Sequence, residues 1–303
     1  KKQAPDSLSF RPHLPFFDDM LTSISKQVAQ NFFDSVHPTL REYYKSAKLT
    51  TSKSSSRAVC KSTASSALHV MFLLSGSFGW HAMATINSLI HHAESPGFLC
   101  LHAVGDATGL QSLRHAMAGS PLARRGQAGT AGPEVMYYNI FKYSKFMQRL
   151  NALPRACQVR HNYGQVTWAR FLFADLLPPN VQRVVVMCVG DVLVFGDAPK
   201  DLPGAFQAFR AEELIGMWAP VNLPAGEMHT GVVLIDVQKV RTSSFFTDFI
   251  DAAVAGARSE DALHKKKWPF CEIAEFDVVR VFDELYPGRL RLITGFPEWH
   301  YIP

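Results

Sequence analysis

The stretch Arg183–Asp197, R-V-V-V-M-C-V-G-D-V-L-V-F-G-D, constrains this chain more than any other. Val184, Val185, Val186 and Met187 form an unbroken apolar run, mostly β-branched. A run of this kind, without polar alternation, reads as a strand buried on both faces. The glycine-containing polar step Gly190–Asp191 ends it. Val192–Phe195 then reads as a second short strand, stopped at Gly196–Asp197.

Comparable runs recur along the chain. Strands are expected at 69–75, 99–105, 183–189, 192–195, 231–236 and 290–294. Together they predict an α/β fold with a mixed, mainly parallel central sheet and helices on both faces. An apolar content of 47% suffices for a sizeable core, and the length of 303 residues leaves room for one such domain plus an extension. No run approaches the roughly 20 apolar residues of a membrane span. G-x-S-x-G, H-E-x-x-H, heptads and a repeat period do not occur. Gly76-Ser77-Phe78-Gly79 lacks the spacing and the lysine of a phosphate-binding loop. His91 and His92 are adjacent, so on a helix they face different ways and cannot chelate together. Lys265, Lys266 and Lys267 read as a solvated loop, and residues 118–133, rich in Gly, Ala and Pro, as a mobile insertion.

Residues 1–67 read as a separate N-terminal part and 68–303 as the globular domain. In the first, Phe17, Met20, Leu21, Ile24, Val28 and Phe32 fall at helical spacing after Pro15. Ser46–Ser66 is a polar arm rich in Ser, Thr and Lys. Between Arg41 and Lys61 six basic residues face a single acid, Glu42. Such an arm is either a solvated linker or a contact for an acidic protein or RNA. The chain as a whole carries a formal net charge of +5, which by itself selects no partner.

The five cysteines, Cys60, Cys100, Cys157, Cys188 and Cys271, are odd in number and contain no C-x-x-C. This pattern predicts reduced thiols in a reducing compartment. The chain begins at Lys1, which suits either a removed leader, such as an organellar transit peptide or a signal anchor, or a longer product whose N-terminus is missing.

Several segments, in order, carry a resemblance. His69–Ser75, H-V-M-F-L-L-S, is similar to the first strand of glycosyltransferase family 8, the group of glycogenin and the xylosyltransferases. Ala84–His91 resembles the helix that follows it, and Leu101–Asp106 the second strand with its acidic end. Trp168–Leu172, W-A-R-F-L, resembles the family's Y-x-R-x-x, which sets Arg170 on the helix before the central strand. Leu176–Val186 resembles the xylosyltransferase-like members in word order. Arg183–Asp197 itself resembles the strand that ends in L-D-x-D-V-x-V-x-x-D. His229–Asp236, H-T-G-V-V-L-I-D, resembles N-x-G-V-x-L-x-[ND], the strand lining the donor sugar. Glu275–Val279, Tyr286–Pro287 and Pro297–Tyr301 resemble the late D-Q-D, Y-P and C-E-W-N-Y elements. The resemblance spans residues 68–303 and implies the GT-A fold of nucleotide-sugar transferases.

It also implies a damaged site. Both aspartates of D-x-D hold a divalent cation in the family; here Asp191 matches the second, but Val189 stands at the first. Valine offers no lone pair to a hard cation that takes several oxygen ligands, and the thiol of Cys188 is a poor donor for Mn²⁺ or Mg²⁺. Phe276 replaces the glutamine of D-Q-D, and His229 the asparagine of the sugar strand. The family's later H-x-x-G-x-x-K-P-W, source of a third metal ligand and a diphosphate-binding lysine, does not occur up to Pro303. If donor binding is retained, the resemblance assigns it to Ser75, Arg170, Asp191, His229, Gly231 and Asp277, with Asp191 as the remaining ligand of a degenerate metal site. The expectation is a catalytically inactive relative, a pseudoenzyme with no cofactor and weak or no UDP-sugar binding. It would serve as a structural subunit meeting other proteins in a larger assembly, with a mitochondrial compartment favoured over the Golgi lumen. The alternative is an active retaining transferase that uses Mn²⁺ and a UDP-sugar.

Overall fold

The computed structural model describes residues 67–79, 81–119, 133–159, 164–189, 192–194, 196–218, 229–263, 270–271 and 275–293. The N-terminal helix and basic arm, the 118–133 insertion except its ends, Asp191, Lys265–Lys267 and Pro297–Tyr301 lie outside these residues.

Seven strands form one sheet: β1 (Leu68–Leu74), β2 (Leu99–Gly105), β3 (Glu134–Asn139), β4 (Arg183–Met187), β5 (Ile215–Trp218), β6 (His229–Asp236) and β7 (Leu290–Ile293). Their order is β3-β2-β1-β4-β6-β5-β7. Four of the six pairings are parallel, and the two antiparallel ones both involve β6. The sheet is therefore mixed and mainly parallel, as the sequence predicts. Every residue of β1 and β2 is buried, in line with cover on both sides.

The helices are α1 (Ala82–His92), α2 (Ala107–Gly119), α3 (Ser144–Ala152), α4 (Arg155–Val159), α5 (Ala169–Leu172), α6 (Ala198–Gln207), α7 (Val237–Thr242), α8 (Phe245–Leu263) and α9 (Glu275–Leu285). Side-chain alternation along the strands divides the core into two layers. Val70, Phe72, Leu74, Val185 and Met187 pack with Ile86 and Leu89 of α1, Leu113 of α2 and Leu202 of α6. Met71, Leu73, Val184 and Val186 pack on the other face with Phe146 of α3, Phe171 of α5, Phe249 of α8 and Phe282 of α9. Ala82, Ile86, Leu89 and Ile90 are the buried stripe of α1, at the i, i+4, i+7, i+8 spacing of a helix with one face to the core. A side chain as fully buried as Phe72 contributes about 2–3 kcal/mol of transfer free energy. Among the described residues no helix is long and apolar enough to cross a membrane.

Two strands were not legible in advance. β3 is an edge strand with only Met136 and Tyr138 fully turned inward, and β5 has four residues, one of them Gly216. Conversely, where a strand is expected over 192–195, the described residues 192–194 show a single bridge at Val192 and no continuous strand. Val192 and Val194 are buried in the core, and one backbone group of each goes to helix α1. Thr85 Oγ1 donates to the Val192 carbonyl at 2.7 Å, and the Val194 N–H donates to Ser88 Oγ at 3.0 Å. Two hydroxyls on one helical turn thus satisfy a segment whose composition alone suggests pairing.

The cysteines also depart from expectation. Cys157 in α4 and Cys271 before α9 form a disulfide across 114 residues of sequence, and Cys100 is disulfide-bonded as well. The odd count and missing C-x-x-C misled because a long-range bridge leaves no local spacing signal.

Two polar clamps fix the approach to β4. Arg149, buried in α3, makes a two-pronged pair with Asp175 at 2.5 and 2.8 Å and also donates to the Leu172 carbonyl. Arg241 of α7 donates from Nη1 to the carbonyls of Pro179 and Val181, and from Nη2 to those of Leu177 and Pro178. A planar guanidinium suits this task because its donors form a fixed fork.

Candidate functional site

The chain passes from β1 outward to β2 and β3, then returns to place β4 on the other side of β1. Ligands of open α/β sheets bind at such a reversal, outside the carboxyl ends of the strands. Ser75 follows β1, Asp106 follows β2, and Cys188 and Val189 follow β4. Since β6 runs antiparallel to β4, its first residues lie at the same end, and the Cys188 N–H donates to the Gly231 carbonyl at 2.8 Å. The topology therefore gathers Ser75, Cys188, Val189, Gly231 and the backbone of His229 at one edge.

Asp106 organises the left side of this edge. Its carboxylate accepts from Ser75 Oγ at 2.8 Å, from the Gly76 N–H at 3.1 Å and from the Gly109 N–H at 2.6 Å, so it also caps the first turn of α2. Gly105 makes the close approach possible: a Cβ there would stand 2.0 Å from the Leu74 carbonyl oxygen. Asp106→Ala should cost about 2–3 kcal/mol, because three donors lose one charged acceptor. Urea unfolding measures this, and a loss under about 1 kcal/mol would remove Asp106 from the role.

On the right, Arg170 in α5 is buried, and its Nη2 donates to Cys188 Sγ at 2.8 Å. Among the described cysteines, Cys188 is the one outside a disulfide. Val189 is 5% exposed and packs in the apolar layer with Val192, Val194 and Leu202. The position that would carry the first carboxylate of D-x-D is thus part of the hydrophobic core. Among the described residues, no group of three or more His, Cys, Asp or Glu side chains could hold a metal ion. A divalent cation bound through position 189 does not fit these surroundings, since it needs oxygen ligands where the structure packs methyl groups.

Asp277 sits half-buried in the first turns of α9, and no described hydrogen bond joins it to the others. Sequence reasoning missed the roles of Thr85 and Ser88 in holding the segment after Val189, and of Cys188 as a partner for Arg170. The hydroxyls at 85 and 88, one helical turn apart on an otherwise apolar face, were the available signal.

No family model matches the chain, and no curated protein matches it in sequence. Solved structures do resemble it. Mouse xyloside xylosyltransferase 1 in its apo form superposes with a TM-score of 0.56 at 12% identity, over 75% of this chain and 84% of that one. The galactosyltransferase LgtC, in complex with donor and acceptor sugar analogues, gives 0.48 at 14%, over 74% and 73%. The glycosyltransferase GlyE of Streptococcus pneumoniae TIGR4 gives 0.46 at 13%, over 75% and 45%. At these identities the likeness is one of architecture. The seven-stranded, mainly parallel sheet, together with the first of these superpositions, shows that the chain has the GT-A glycosyltransferase fold.

Proposed function

We propose that this protein is a degenerate member of glycosyltransferase family 8 that keeps the GT-A scaffold without turning over a sugar nucleotide, and serves as an interaction subunit of a larger assembly. The observation that supports this reading is Val189, packed into the core at the position that the resemblance matches to a cation ligand. Transfer from a UDP-sugar builds negative charge on the leaving diphosphate, which the family's metal neutralises as a Lewis acid. Without that cation the remaining polar groups at the sheet edge can position a nucleotide but not activate it. Arg170, a phosphate-binding candidate by resemblance, is committed in part to Cys188.

The Cys157–Cys271 bridge, with Cys100 also oxidised, supports a compartment in which disulfides persist, the Golgi or another secretory lumen, over a reducing one. The mitochondrial alternative keeps this chemistry only in an oxidising subcompartment.

Calorimetric titration of Mn²⁺ in the presence of UDP tests the proposal. No saturable heat is expected below millimolar Mn²⁺. A micromolar site that disappears in Asp191→Ala would instead support the active, retaining transferase.

A further inference from the structure

His69, His102 and Tyr138 stand on the adjacent parallel strands β1, β2 and β3. All three point into the layer that holds Met71, Cys100 and Met136. His69 Nδ1 lies 3.0 Å from His102 Nε2, and His102 Nδ1 lies 3.1 Å from the Tyr138 hydroxyl. The hydroxyl in turn reaches Met136 Sδ at 3.5 Å. Exposure is 0% for His102, 9% for His69 and 8% for Tyr138. Between the two imidazoles one nitrogen must donate and the other accept, so two fully protonated rings would set N–H against N–H across 3.0 Å. Even one proton would place a charge in an apolar layer where no described hydrogen bond joins either imidazole to a carboxylate.

The charged groups of the surrounding elements do not relieve this. Lys145 and Arg149 of α3 both engage Asp175. Arg155 of α4 is exposed, and Arg170 of α5 reaches Cys188. Glu134, at the start of β3, is half-buried on the same face, and Tyr143 is a further titratable group among the described residues, its ring tilted against that of Tyr138.

We propose that this buried histidine–histidine–tyrosine row is an acid-sensitive lock on the β1–β2–β3 half of the sheet, at full strength at neutral pH and progressively weaker in its hold on the folded state as the pH falls from 6.5 toward 4. Burial lowers His69 from its ordinary value to about 4. Burial, and then the neighbouring His69, hold His102 well below the imidazole range. In the unfolded chain both would titrate near 6.5. The folded form therefore binds fewer protons below that value, and its stability is complete above about pH 6.5 and lost as the pH drops toward 4. Between pH 7.5 and 5 each histidine should shift the folding equilibrium toward the unfolded chain by about 30-fold. The two together correspond to a melting temperature lower by about 10 °C.

The test is thermal unfolding of the full chain at pH 7.5 and 5.0, for the wild type and for His69→Asn and His102→Gln, whose amides can hydrogen-bond but do not titrate. Each variant should recover about 30-fold of the acid-induced loss. Equal pH dependence in all three proteins would overturn the proposal. If a variant fails to fold, NMR of the native wild type with ¹³C-labelled histidine decides. Two of the 12 imidazoles should remain neutral at pH 5, and titration of all of them between 6 and 7 would refute the lock.

Discussion

Val189→Asp will destabilise the domain by about 3–5 kcal/mol, and millimolar Mn²⁺ will not restore the loss. The side chain at 189 is 5% exposed among Val192, Val194 and Leu202, so a carboxylate there must either stay charged without a partner or take up a proton. A hard cation could rescue it only with several oxygens within reach, and the described side chains that share its cluster are apolar. Thermal melts of the variant with and without Mn²⁺ read the result directly. A metal-dependent rise in melting temperature would mean that position 189 still borders a cation site, and the reading of this protein as a degenerate transferase would fall with it. The single repair is thus expected to damage the fold before it changes any chemistry.

A loss of similar size is expected from the paired change Cys157→Ser and Cys271→Ser, at about 4–5 kcal/mol. The bridge closes 114 residues of sequence, and long loops gain most from closure in the chain-entropy account. Both cysteines are buried against the aromatic layer, with Trp168 Nε1 donating to the Cys157 carbonyl at 2.8 Å. Two hydroxyls would then also occupy apolar surroundings without the covalent link. Urea unfolding of the oxidised wild type and the serine pair measures the difference. A difference below about 1 kcal/mol would show that the two halves are held together by packing alone, and would weaken the case for an oxidising compartment.

The parts of this fold that were legible in the sequence are those where burial on both faces leaves a continuous apolar run. β1, β2, β4 and β6 are of this kind, and their order along the chain carries the family resemblance as well. What escaped the sequence is set by tertiary partners. β3 lies at the sheet edge, where half of its side chains need not be apolar. Val192–Val194 has strand composition, yet Thr85 and Ser88 capture its backbone. At the candidate site, the resemblance sets Val189 where a ligand would be expected, but whether the valine lines an open pocket or fills the core is decided by packing. Similarly, Asp106 was visible as the acidic end of a strand, whereas its three donors come from residues 75, 76 and 109, joined only by the fold.

The Arg241 fork has a consequence for how this chain can change over time. The Leu177–Val181 turn contains two prolines, Pro178 and Pro179, which contribute carbonyls but no N–H, so acceptors outnumber donors there. One guanidinium from α7, some 60 residues later, takes up four of those acceptors. Lysine, with a point charge on a flexible stem, cannot span them in the same plane. The turn and the arginine therefore form an epistatic unit: loss of Arg241 leaves the Leu177 and Val181 carbonyls without its donors, while remodelling the prolines leaves the arginine without its seat. Substitutions at the two places should be strongly non-additive, and drift at one is tolerated only where the other has already moved.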